Sequence, residues 1–228
     1  KSMSGMGVFD ILGPIMIGPS SSHTAGAARL GKVARTIAGD EVGEVTFLLH
    51  GSFGKTYKGH GTDRALVAGI MGMDPSDDRL RDSLEIAKEK GIKITFKDVD
   101  LGDYHPNTVK FLMKLKNGKE CEIVGSSIGG GNIEINEING NEVKFTGTYS
   151  TIITSHKDIP GTVAKVTNIL YDSKVNIAFL TLGRSQKGKN ATMTFEVDSE
   201  ISNDLIEEIR KVEGIEKVIL INKIEDGE

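Results

Sequence analysis

Two short segments of this 228-residue chain gather the residue types that move protons and hold small polar molecules near neutral pH. The first, Gly18-Pro19-Ser20-Ser21-Ser22-His23-Thr24, packs a turn, four hydroxyls and an imidazole directly before a helical pattern. A helix start presents unpaired N–H groups and a partial positive charge, which suit a carboxylate ligand. The hydroxyls can hydrogen-bond a small polar substrate, and His23 can exchange a proton beside them. Plain N-capping by the serines, with His23 on the surface, accounts for the same residues, and spacing alone does not separate the two readings. The second segment, Gly59-His60-Gly61-Thr62-Asp63, flanks an imidazole with glycines that let backbone approach a ligand or partner closely. Asp63 is positioned to orient that imidazole. A tight turn needing glycine for its dihedrals is the competing account. Two such loops in one small domain weigh toward chemistry.

Other candidates carry less. His105-Pro106-Asn107 has a stiff backbone and two polar side chains that suit a substrate contact, but a turn before a strand explains it more simply. Residues 125–131 (Gly-Ser-Ser-Ile-Gly-Gly-Gly) lack the lysine and following hydroxyl of a phosphate loop, and no helix pattern follows them. They read as a flexible or closely packed interface loop. His23 and His60 match no HExxH or comparable spacing, so no metal site is expected. Cys121 lies among strand residues without a CxxC or histidine partner and reads as structural.

The elements that hold these segments follow from apolar periodicity. Ala27, Leu30, Ala34 and Ile37 recur at three and four, with Gly39 where a helix stops. Val45, Phe47 and Leu49 alternate as in a strand over 44–50. A glycine-rich loop over 51–61 leads to a short apolar helix near 63–72, and Leu80, Leu84 and Ala87 predict a surface helix over 79–90. From 92 to 146 the pattern is mostly strands, with Asn117-Gly118 and Asn139-Gly140 as hairpin turns. Residues 8–146 therefore read as one α+β domain with a mainly antiparallel sheet. Residues 148–222, beyond a boundary at Gly147, follow the order βαββαβ of a ferredoxin-like fold.

Composition narrows the function. The net charge of −4, with basic residues scattered, argues against a nucleic-acid partner. No apolar run approaches the roughly 18–20 residues that span a bilayer, and residues 1–7 carry no secretory apolar region. One cysteine excludes an internal disulfide framework and suits a reducing cytoplasm. It also excludes an iron–sulfur cluster held by this chain alone, since such clusters need several thiolates.

Together Val8-Phe9-Asp10, Gly18-Pro19-Ser20-Ser21-Ser22-His23-Thr24, Lys58-Gly59-His60-Gly61-Thr62-Asp63, His105-Pro106-Asn107 and Ser127-Ile128-Gly129-Gly130-Gly131 resemble the beta portion of bacterial iron–sulfur-dependent L-serine dehydratases, over about residues 8–146. That region is expected to resemble an allosteric-substrate-binding domain. The second domain resembles an ACT domain, with Asp158-Ile159-Pro160-Gly161 at the turn from first strand to first helix.

The resemblance implies a lyase that converts L-serine to pyruvate and ammonia without pyridoxal phosphate. It is active only with an alpha subunit whose cysteines hold a [4Fe–4S] cluster. It implies His60 as proton handler and His23, with Ser20, Ser21 and Ser22, as substrate orienter. Thr24, His105 and Asn107 are further substrate contacts. In the ACT domain it implies dimerisation and an effector site at Asp158, Ile159, Pro160 and Gly161. The tandem order also resembles the C-terminal half of some phosphoglycerate dehydrogenases, whose reading would be a non-catalytic amino-acid-binding and oligomerisation module. The two histidine loops discriminate, because a purely regulatory module has no use for them. A standalone Ser–His hydrolase is disfavoured by the lack of a GxSxG elbow.

Overall fold

A computed structural model describes residues 23–184 and 187–223. Helix α1 (Ala25–Ala38) buries Ala27, Leu30, Ala34 and Ile37 on one stripe and ends at Gly39, whose φ of 80° lets its N–H reach the Arg35 carbonyl. Strand β1 (Val42–Gly51) buries Val45, Phe47 and Leu49 at alternate positions. Then come α2 (Ser52–Thr56), α3 (Thr62–Ile70), a 3-10 turn at Asp78–Asp82, α4 (Ser83–Glu89) and β2 (Lys93–Asp98), which returns parallel to β1. Strands β3 (Asn107–Leu115), β4 (Glu120–Gly129), β5 (Asn132–Ile138) and β6 (Asn141–Phe145) extend the sheet antiparallel in the order β2-β1-β3-β4-β5-β6. The α+β expectation holds, and the two Asn-Gly pairs make the β3–β4 and β5–β6 turns.

Three local expectations change. The glycine-rich segment 51–61 contains the one-and-a-half-turn α2, because Phe53 is fully buried and pulls the backbone onto the sheet. The glycines at 125–131 do not form a loose loop. Gly125 lies inside β4, where an added Cβ would sit 2.8 Å from Leu30 and 2.9 Å from Ile135. Gly129, Gly130 and Gly131 make the tight β4–β5 turn with φ of 103°, 62° and 79°. The surface helix begins as a 3-10 turn, since the Asp77 carboxylate takes the Arg79 N–H at 2.9 Å and its guanidinium at 2.7 Å.

One face of this sheet carries α1 and α3, which touch each other backbone to backbone. A Cβ on Gly31 would lie 2.6 Å from the Leu66 carbonyl, and one on Gly69 would lie 2.2 Å from the Ala28 carbonyl. Beneath them Phe47, Phe111 and Ile123 are fully buried, with the Phe47 and Phe111 rings edge to face at 5.5 Å.

The second sheet comprises β7 (Ser150–Lys157), β8 (Ile177–Arg184), β9 (Asn190–Val197) and β10 (Ile215–Ile221) in the order β10-β7-β9-β8. Helices α5 (Thr162–Asp172) and α6 (Asn203–Arg210) complete the βαββαβ order. Ile152, Met193 and Phe195 meet Val166, Leu170 and Ile209 in its core. The opposite face is not solvent-facing throughout, because Ile153 and Ile221 are buried in the first core. The Glu196 carboxylate accepts the Thr146 N–H at 3.0 Å, which fastens the two sheets at the strand leaving the first.

Gly69→Ala should lower the unfolding free energy by about 1–3 kcal/mol, because the added carbon meets main chain that cannot rotate away. Gly59→Ala, whose Cβ meets nothing nearer than the Thr56 carbonyl at 3.9 Å, should leave the urea midpoint unchanged or slightly raised.

Candidate functional site

Both histidines stand just before a helix, and those two helices are the pair in backbone contact. His23 precedes α1 and is only 9% exposed. His60 precedes α3, whose start is shaped by Gly61 at φ 73°. Packing α1 against α3 brings the two imidazoles to a centroid separation of 5.1 Å, tilted by 42°. The His23 ring meets buried Phe53 edge-on at 5.3 Å, and its Nε2 lies 3.1 Å from the Ser52 hydroxyl. The His60 N–H donates to the Thr56 carbonyl, whereas its ring Nδ1 is buried and has no hydrogen-bond partner among the described residues.

The corner carrying Ser52 and Phe53 is set by the β2–β3 loop. At Gly51 φ is 59°, and a Cβ there would lie 2.6 Å from the Pro106 carbonyl. That carbonyl accepts the Ser52 N–H at 2.8 Å. Asn107 pairs in register with Gly51, and its Oδ1 is buried without a partner among the described residues, as is Ser127 Oγ on the neighbouring strand. Gly131, at the β4–β5 turn, accepts the Arg29 guanidinium at 3.0 Å, tying that turn to α1.

The sequence candidates thus separate. His23, His60 and the Asn107 strand end gather at one end of the sheet, with Thr24 half-buried beside His23. Ser20, Ser21 and Ser22 lie outside the described residues. His105 is exposed, and its Nδ1 accepts the Asn107 N–H at 3.1 Å, a turn contact. The Asp63 carboxylate takes the N–H of Arg64 at 2.8 Å, so it braces the first turn of α3 rather than the His60 ring. Burial raises its pKa above the usual carboxylate value. At the second sheet the Asp158 carboxylate accepts the Gly188 N–H at 3.0 Å and the Arg184 guanidinium at 3.1 Å. Ile159 is partly exposed, and Gly161, at φ 92°, opens α5 after Pro160.

Sequence reasoning missed Ser52, Phe53 and Arg29, which no spacing distinguishes from ordinary corner and helix residues. Ser127 was in view, but its strand position was hidden by the glycines after it.

Among the described residues no group of three or more His, Cys, Asp or Glu is gathered to hold a metal ion. Cys121 is buried at the opposite end of β4, roughly 20 Å along the strand from Ser127. Burial raises its thiol pKa. The chain therefore brings no thiolate to the histidines. Chemically, the site offers two imidazoles in a partly dry setting, one with an uncommitted ring nitrogen, beside hydroxyl and amide groups. That suits proton transfer at a small polar substrate.

Burial lowers the His23 pKa below 6.5, and the neighbouring His60 lowers it further. Burial also lowers that of His156 on β7. An unfolded chain takes up these two protons near pH 6.5 while the folded chain resists them, so stability should fall as pH drops through 6.5. Above about pH 7.5 these two groups should contribute no slope. In a proton NMR titration the His23 midpoint should lie below 6.5, and His60→Gln should raise it by removing the like charge.

Comparison with known proteins identifies the family. Residues 7–89 match the serine dehydratase beta chain family model, and residues 150–214 match the ACT domain. A probable L-serine dehydratase beta chain of Bacillus subtilis is 45% identical over 219 residues, covering 96% of this chain and 98% of that one. The L-serine dehydratase beta chain of Peptoniphilus asaccharolyticus is 44% identical over 212 residues, or 92% and 96% of the two chains. A D-3-phosphoglycerate dehydrogenase of Synechocystis is 26% identical over 192 residues, which is 83% of this chain but 34% of the dehydrogenase. With α1, α3 and their paired histidines preceding a βαββαβ unit, and with relatives matched almost end to end, the chain belongs to the L-serine dehydratase beta-chain family and carries an ACT domain.

Proposed function

We propose that this chain is the half of an L-serine dehydratase that presents His23 and His60 to a site completed by a separate alpha chain. The reaction is L-serine to pyruvate and ammonia. The observation that carries the reading is the imidazole pair, 5.1 Å apart at the starts of two packed helices, in a chain related end to end to L-serine dehydratase beta chains. The phosphoglycerate dehydrogenase likeness is weaker in identity and covers a third of that enzyme.

The chemistry follows from the groups present. A general base removes the α-proton of serine and the β-hydroxyl leaves as water, giving aminoacrylate. Its imine tautomer then takes up water and releases ammonia. His60, uncommitted at Nδ1, acts as the base, and His23, held through Nε2, orients the substrate with Ser20, Ser21, Ser22, Thr24 and Asn107. His105 contributes through the turn it braces. In this reading the alpha chain holds a [4Fe–4S] cluster that supplies Lewis-acid activation of the hydroxyl, in place of pyridoxal phosphate. The cytoplasm, which keeps thiols reduced, is the matching compartment.

We divide the chain at Gly147 into the histidine domain, 8–146, and the ACT domain, 148–222. In the latter, β8 is a sheet edge exposing Phe179, Leu180 and Leu182 at 57%, 44% and 56%. Among the described residues its outer edge has no paired strand and it carries apolar side chains on both faces, which suits pairing with the same strand of a second copy. The turn at Asp158, Ile159, Pro160 and Gly161 offers an amino-acid effector its backbone, since the Asp158 carboxylate is engaged and Gly161 faces open space.

His60→Ala, assembled anaerobically with the alpha chain, should lower pyruvate formation by about 10²–10⁴-fold. Near wild-type turnover would remove His60 as the base, and activity of the chain without a partner would remove the shared site. Separately, Leu182→Asp should convert a dimer of this chain to monomer in sedimentation measurements without loss of helix signal.

A further inference from the structure

We propose that Ser52 is a positioning residue for this reaction: its hydroxyl fixes the His23 ring through Nε2, while its backbone N–H is held by the Pro106 carbonyl. The proposal rests on the reading in which His23 orients the substrate.

The contact joins residues 29 apart in sequence at 3.1 Å, so it depends on the fold and on no local turn. Nearly every other freedom of Ser52 is already used. Its N–H donates to Pro106 at 2.8 Å, and its carbonyl accepts the Thr56 hydroxyl at 2.7 Å. The preceding Gly51 is pressed so close to Pro106 that no side chain fits there. The Pro106 carbonyl is steadied in turn, since the flanking His105 and Asn107 are tied by the Nδ1 contact and His105 accepts the Thr108 hydroxyl at 2.6 Å. The only loose variable left to Ser52 is its own χ1, and the hydroxyl is close to His23.

The ring's described aromatic contacts do not supply the same direction. Phe53 meets it edge-on and His60 lies tilted beside it, which limits its plane without choosing where its nitrogens point. A hydroxyl both donates and accepts, so Ser52 can bond Nε2 whether or not that nitrogen carries the proton. The ring therefore keeps its orientation when its protonation changes. This also gives the His-Pro-Asn segment a role at one remove: it places the corner that places the hydroxyl.

The test compares Ser52→Ala and Ser52→Thr in two settings. In the chain alone, nitrogen-15 NMR of the imidazoles should show the His23 Nε2 resonance shifted in the alanine variant and restored in the threonine variant, with the urea midpoint little changed. In the enzyme assembled with its alpha chain, Ser52→Ala should lower kcat about tenfold with KM held within about twofold, and Ser52→Thr should recover most of it. Unmoved His23 resonances in the alanine variant, or a threonine variant as impaired as alanine, would overturn the proposal. If the wild-type assembly makes no pyruvate, the functional reading fails, while the NMR comparison still decides whether Ser52 holds His23.

Discussion

The close approach of α1 and α3 is the constraint from which the site follows, because each helix begins directly after one of the two histidines. Side chains larger than hydrogen at Gly31 or Gly69 would meet main-chain atoms of the other helix, so the backbones can lie this near only with glycine at both. Interiors packed this tightly do not deform smoothly. A small displacement of either helix would be felt at its start, where His23 and His60 sit 5.1 Å apart. The sheet supplies the other half of the support. Gly125 admits Leu30 of α1, and the Arg29 contact with Gly131 ties the second turn of α1 to the β4–β5 turn.

Around this frame the polar groups are unevenly satisfied. Thr108 and Ser126 bond each other at 2.6 Å on the outer side of the sheet, and Ser126 also donates to Asn136 at 3.3 Å. On the histidine side, His60 Nδ1, Asn107 Oδ1 and Ser127 Oγ are buried without partners among the described residues. Leaving a buried polar atom unbonded costs roughly 1–3 kcal/mol, and among the described residues Thr154, His156, Thr162 and Thr194 in the ACT region carry such atoms as well. In the proposed reading a small polar substrate supplies bonds to the three atoms on the histidine side.

The second sheet is joined to the first by more than a covalent link. Ile153 and Ile221 are buried in the core built by α1 and the first sheet, and Glu196 reaches back to Thr146. Motion of β7 or β10 is therefore felt against the body that carries the histidines. In the proposed reading, pairing of the ACT domain with a second copy, or occupancy of its turn, would have a physical route to the histidines. The route is a shared core, with no need for a hinge.

Much of this was legible in the residues before any coordinates. Alternation in β1, the Asn-Gly turns, the αL glycine after α1 and the βαββαβ order all reflect local periodicity and turn chemistry, which a chain carries in its own spacing. The two histidine loops stand out as candidates in the sequence, with capping and turn roles left open, and one cysteine excludes a cluster held by this chain alone. Tertiary structure alone decided the rest. That α1 and α3 are the touching pair, that Ser52 and not Asp63 holds an imidazole, and that residues 125–131 are strand and tight turn all depend on contacts between segments far apart in sequence. Spacing along a chain specifies which face a residue takes within its own helix or strand. It carries no information on which other face it meets, and the pairing of His23 with His60 is a meeting of that kind.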